Sequence, residues 1–138
     1  NAWAIKCLVD CGFTTNEIHG IVEQSIDVRP FAVRLIACKS IIEKYDEVQL
    51  GYCLDTVAKF NTAHGVDMTD VAAVLATGDV VNQYGSIGTG FATFMKGLGR
   101  PIVVNDVLAW RLQTKYGKEH PEDSKRRIGN VVKVCSEA

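Results

Sequence analysis

Three groups of residues in this 138-residue chain have types and spacing suited to chemistry: a glycine run, the scattered cysteines and histidines, and the cations of the last third. The run Gly85-Ser86-Ile87-Gly88-Thr89-Gly90 places small residues where a helix begins, so backbone amides there can approach a phosphate. It is not the dinucleotide pattern, which needs G-x-G-x-x-G after a buried strand, and it lacks the Gly-Lys-Ser/Thr ending of a nucleotide-triphosphate loop. His19, His64 and His120 are far apart, and none has a cysteine, serine or carboxylate at a recognisable catalytic spacing. The five cysteines, Cys7, Cys11, Cys38, Cys53 and Cys135, are an odd number in apolar helical surroundings. That pattern suits reduced core thiols of a cytoplasmic protein better than a disulfide framework. Cys7 and Cys11 are one helical turn apart and can share a ligand. No further donor stands at metal spacing, so no metal and no cofactor is expected.

Charge is unevenly distributed. Residues 1–95 carry six Lys/Arg and eleven Asp/Glu, whereas residues 96–138 carry nine and five. The basic last third suits a polyanion. If DNA is bound, the expected contacts are Arg111, Lys115, Lys118, Lys125, Arg126 and Arg127, with the backbone at Gly88 and Gly90. The plainer alternative is a solvated helix surface, with the chain itself or another protein as partner. No apolar run is long enough to span a bilayer, and no signal peptide is evident, so no membrane association is expected. The chain begins Asn-Ala without methionine and is expected to be part of a longer protein.

The elements that must position these residues are helices. The pattern predicts an all-α fold of seven to eight helices in a single domain over 1–138, with little or no strand. The first helix is predicted over Ala2 to Cys11, stopped by Gly12. Thr14-Thr15-Asn16-Glu17 is a capping box opening a second helix to about Gln24. Its polar start holds Glu17, which repels phosphate and argues against a DNA-reading helix. Pro30 opens a third helix ending near Tyr45. Asp46 then caps a fourth from Glu47 to His64, with Leu50, Cys53, Leu54, Val57 and Phe60 as one stripe. The short link between them predicts a central antiparallel helical hairpin. A short helix follows, capped by Asp67 or Thr69 and ended by Gly78, with a further turn over Asp79 to Tyr84. Ser86–Gly97, Asn105–Tyr116 and Pro121–Ser136 complete the set. Asn105 is the expected cap of its helix, and Asp106 sits in that helix's first turn, where the dipole favours an anion.

Two family resemblances bear on function. The order Trp3–Leu8, Gly12-Phe13, Ile36–Tyr45, Leu50–Asn61, Ile87–Phe94 and Leu108–Tyr116 resembles the helical region that follows a ParB-like N-terminal domain in phage and mobile-element proteins. It covers roughly residues 2–117 and rests on order and apolar spacing. It implies a non-catalytic interaction, oligomerisation or DNA-contacting module, with Gly88 and Gly90 serving close helix–helix approach. Separately, Ser86-Ile87-Gly88-Thr89-Gly90-Phe91-Ala92 resembles the turn of helix-hairpin-helix DNA glycosylases. Val104-Asn105-Asp106-Val107 with Trp110 is then similar to that family's aspartate segment, which would make Asp106 catalytic. Gly90 stands where the lyase-type members carry their lysine nucleophile, and the spacing to Asp106 is short. The first resemblance is the leading expectation. A glycosylase-like repair enzyme is the second, and a partner-binding helical domain without nucleic acid the third.

Overall fold

The computed structural model describes residues 2–137. Among the described residues there are nine α-helices, one 3-10 turn and no strand. The all-α expectation is met with one helix more than the upper count. The chain divides into two compact units, Asn1–Gly51 and Tyr52–Ala138.

In the first unit, α1 (Ala2–Asp10) stops at Gly12, which takes φ +82°, a backbone region closed to most side chains. The capping box opens α2 (Thr15–Val22): the Glu17 amide donates to Thr14 Oγ1 at 3.2 Å, and the Thr14 amide donates to Glu17 Oε1 at 2.9 Å. A Cβ on Gly20 would lie 2.8 Å from Ile26 Cδ1, so the returning chain packs directly on that helix. A 3-10 turn over Arg29–Phe31, with Pro30 at its start, leads into α3 (Ala32–Ala37). Arg34 of α3 forms an ion pair with Glu17 and lies 4.2 Å over the Phe13 ring, which meets Phe31 edge-on.

The expected break near Asp46 does not occur. Instead α4 is one helix, Lys39–His64, and the interruption falls at Cys38, which caps α3. The central antiparallel hairpin is therefore absent. Nothing in Tyr45-Asp46-Glu47 stops a helix. Aspartate favours a cap but costs only a few tenths of a kcal/mol in an interior, whereas Gly or Pro would cost about 1–3 kcal/mol.

In the second unit, Asp70 caps α5 (Val71–Tyr84) by accepting from the Ala73 amide at 3.2 Å. The helix runs through Gly78, which was expected to end it. A Cβ at Gly78 would make ordinary contact with Leu54 Cδ2 at 3.4 Å, so the helix tolerates this position in its interior. Gly85 at φ +82° supplies the stop instead. Three further helices follow: α6 (Thr89–Gly97), α7 (Val104–Gln113) and α8 (Lys115–Glu119). The last is α9 (Pro121–Glu137).

The predicted helix over Asn105–Tyr116 is thus two helices, joined at Thr114. Thr114 Oγ1 donates to the Arg111 carbonyl at 2.6 Å and accepts from the Gly117 amide at 3.0 Å. Gly117, just past the expected end at Tyr116, is buried inside α8. A Cβ there would sit 1.8 Å from the Arg111 carbonyl oxygen.

Helices α5, α7 and α9 pack on one another and α6 packs on α7. They enclose a core that includes Ala76, Val80, Phe91, Met95, Val107 and Ile128. Phe91 packs edge-on against Trp110 and Phe60. Among the described residues, no helix is long and apolar enough to cross a membrane.

Candidate functional site

Asp106 is buried and fully engaged. Arg100 holds it in a fork, Nη2 to Oδ1 at 2.6 Å and Nη1 to Oδ2 at 2.8 Å, and Oδ2 also accepts from the Val103 amide at 2.8 Å. The Arg100 guanidinium holds the carboxyl below its usual range. The side chain acts as the cap of α7 in place of Asn105. It fixes the extended Arg100–Val103 link against the helix start rather than projecting into a cleft.

The expected cation patch is mostly consumed within the protein. Arg111 is entirely buried: Nη2 donates to Asp79 Oδ2 at 2.7 Å and Nη1 to Gln83 Oε1 at 2.6 Å. It therefore cannot meet a phosphate at the surface, contrary to the expectation drawn from charge alone. Arg127 bridges Asp79 Oδ1 at 3.0 Å and Asp123 Oδ2 at 3.1 Å. Arg126 pairs with Asp123 at 2.6 Å, and Lys125 with Glu122 at 3.1 Å. The Tyr116 hydroxyl donates to Asp123 at 3.0 Å. These residues tie α5, α7, α8 and α9 together. The three acid partners lie on helices the sequence already showed, but only the fold brings Asp79 to Arg111 and Arg127. Lys115 and Lys118 are exposed and make no ion pair among the described residues.

The glycine run behaves differently from either expectation. Gly88 is the N-cap of α6 and has no side chain to satisfy the first amides. A Cβ on Gly88 or Gly90 would meet nothing within 4 Å, so these glycines do not serve close helix–helix approach. They leave the start of α6 open. One helix face, Thr89, Ala92, Thr93 and Lys96, together with His64 at the end of α4, lines an open pocket of about 320 Å³. Its polar lining consists of hydroxyls, an imidazole and an ammonium, with no carboxylate. Lys96 makes no ion pair among the described residues. His64 stacks on Phe60 with ring centroids 4.3 Å apart. The i, i+4, i+7 spacing of Thr89, Thr93 and Lys96 was legible in the sequence; the approach of His64 was not. A pocket of this lining suits an anion of phosphate size.

The first unit presents a different surface. Among its described residues, the buried apolar side chains are Cys7, Phe13 and Ile18. Val33, Ile36 and Val48 are 77%, 73% and 72% exposed, and Ile5, Val9 and Val28 are also exposed. Val33 and Ile36 stand three apart on α3, on one side of the helix. The charges beside this stripe neutralise one another locally, Arg29 with Asp27 and Lys39 with Glu43. Among the described residues no cluster of His, Cys, Asp and Glu has the arrangement of a metal site.

The fold and these surfaces define an all-α protein with an uncovered apolar face in one unit and a small cationic pocket in the other. No family model, no curated protein and no solved structure matches the chain.

Proposed function

We propose that the chain is a non-catalytic helical association module, of the kind that follows a ParB-like domain in phage and mobile-element proteins, and that it binds a second copy of itself through the first unit. One observation carries this reading: the first unit leaves uncovered more large apolar side chains than it buries, with Val33 and Ile36 about three-quarters exposed. Apolar surface of this kind gains roughly 25 cal/mol per Å² when it is removed from water. The Arg29–Asp27 and Lys39–Glu43 pairs cancel locally beside these side chains, which favours a copy of the same chain over a strongly charged partner. The order of helical segments that resembles the ParB-associated region supports the same class.

Sedimentation equilibrium across micromolar concentrations tests it. The protein is expected to form a dimer. Val33→Glu with Ile36→Glu keeps good helix formers in α3 and is expected to weaken the dimer at least tenfold. A wild-type chain that stays monomeric at 100 times that range ends the proposal.

A second reading is favoured by the α6 pocket: contact with the phosphate backbone of DNA. Thr89 at the uncapped start of α6, Lys96 in its last turn and His64 of α4 supply polar groups along the pocket, and Lys115 and Lys118 are available elsewhere. Such contacts position a protein without reading sequence. Lys96→Glu is expected to reduce binding to random-sequence duplex at low salt at least fivefold. Equal binding by that variant removes the pocket from the reading.

A further inference from the structure

The first unit gathers three thiols that neither association nor DNA contact uses. Cys7 lies on α1, Cys11 just past its end, and Cys38 at the junction of α3 and α4. The Cys38 thiol donates to the Cys11 carbonyl at 3.6 Å, across 27 residues of sequence. The Cys11 thiol is also a hydrogen-bond neighbour of the Cys38 and Cys7 thiols. All three are reduced.

We propose that Cys11 and Cys38 are a reversible disulfide pair, closed by a peroxide, that ties the end of α1 to the α3–α4 junction. The choice of pair follows from geometry. Cys7 and Cys11 are related as helix neighbours four apart, with the Cys11 amide donating to the Cys7 carbonyl at 3.0 Å. Such neighbours have Cβ atoms about 5–6 Å apart, whereas a disulfide needs about 3.5–4.5 Å. Cys38 approaches from another element and is not bound by that spacing. Cys11 and Cys38 are both partly exposed, so a small oxidant reaches them, whereas Cys7 is buried.

The chemistry divides between the two sulfurs. Burial pushes the Cys11 thiol up to about 12, which disfavours it as the first nucleophile, so Cys38 is assigned the attack on peroxide and Cys11 the later attack on the sulfenic acid. The Cys38 sulfur gives up its proton to solvent and attacks one oxygen of hydrogen peroxide. The O–O bond breaks, Cys38 becomes a sulfenic acid, and the departing hydroxide takes a proton to become water. The Cys11 sulfur then attacks the sulfenic sulfur, the S–O bond breaks, and the hydroxyl leaves as water with the Cys11 proton. Two thiols lose two electrons in total, and one peroxide becomes two waters. The cross-link shortens the unfolded chain's reach in a unit that buries few apolar side chains, so its effect on stability is proportionately large.

The test uses the whole chain, reduced, treated with one equivalent of hydrogen peroxide and alkylated. The intact mass is expected to show three alkylated thiols in place of five. Trypsin leaves Cys7 and Cys11 on residues 7–34 and Cys38 on residues 35–39. Those two peptides are expected to be linked, with fragmentation placing the bond at Cys11. Cys7→Ser is expected to form the same bond and Cys38→Ser none. The oxidised wild type is expected to melt at least about 5 °C higher than the reduced protein. Five alkylated thiols after oxidation, a bond to Cys7, Cys53 or Cys135, or a bond only between chains each overturns the proposal. Because the wild-type protein carries the mapping, a variant that misfolds does not decide the outcome. The proposal rests on the thiols alone and stands or falls separately from self-association.

Discussion

At the scale of single residues, the second unit depends on side chains whose surroundings permit little substitution. The Arg111 guanidinium is paired with Asp79 and Gln83 in a site without solvent, and burial depresses its pKa. Arg111→Leu leaves the Asp79 carboxylate with only Arg127 as a cation and is expected to cost about 3–5 kcal/mol, read by urea denaturation. Gly117→Ala places a methyl group where the Arg111 carbonyl stands, and a backbone atom cannot step aside as a side chain can. A loss of about 3 kcal/mol is expected in the same assay. A neutral result would mean that the α7–α8 junction has room it does not show. Acid sensitivity follows from the ion pairs. The Arg34 pair holds Glu17 at about 2, below the ordinary 4.5, and Arg100 likewise depresses Asp106. A carboxyl whose folded pKa lies below its unfolded one stabilises above the unfolded value and loses that contribution as pH falls through the folded one. The melting temperature should therefore drop from about pH 4.5 toward pH 2. Glu17→Gln should shrink the drop, and an unchanged profile in that variant would show that the Arg34–Glu17 pair contributes nothing.

At the scale of elements, what was legible followed from local signals. The Thr14–Glu17 capping box, the Gly12 stop and the Pro121 start all lie where their side-chain chemistry puts them, because each acts on its own turn of backbone. The errors arose where a local preference met tertiary packing. Gly78 has the chemistry of a stop, yet α5 continues through it to Gly85, and Gly117 is glycine because the Arg111 carbonyl of α7 lies against it. Asp46 has the chemistry of a cap, yet no breaker accompanies it and it lies inside the 26-residue α4. The candidate site was half visible for the same reason. The donors on α6 follow from helical spacing, whereas His64 joins them from another helix, and the engagement of Arg111 by Asp79 spans 32 residues of sequence. The continuity of α4 makes its own prediction. Asp46→Pro would be tolerated in a hairpin turn. In a helix interior it removes a hydrogen bond and clashes with the preceding turn, at a cost of about 3 kcal/mol. Loss of helical signal by circular dichroism together with a lowered melting temperature is expected, and an unaffected variant would restore the hairpin.

At the scale of the whole molecule, the net charge of −1 and the basic last third pull in different directions, and the internal ion pairs decide between them. Of the six side chains expected to meet phosphate, Arg111 is buried, Lys125, Arg126 and Arg127 are held by carboxylates, and Lys115 and Lys118 make no ion pair among the described residues. Adding the pocket's Lys96 and the exposed Lys133 gives four cations of the last third able to displace counterions from DNA without first breaking an ion pair among the described residues. Each neutralised phosphate contributes about 0.9 to the slope of log affinity against log salt for duplex DNA. One copy of this chain is therefore expected to give a slope of about −3.6 or shallower. The patch counted from sequence, with all six cations engaged, would give about −5. Self-association doubles the number of cations on one particle, so the dimer should approach twice the monomer slope. The Val33→Glu, Ile36→Glu variant should return to the smaller value. Measuring the slope in both forms separates the two surfaces. A steep slope that persists in the monomeric variant would mean that the carboxylates release Arg126 and Arg127 to the DNA, and that the ion pairs on α9 are a resting arrangement rather than a fixed one.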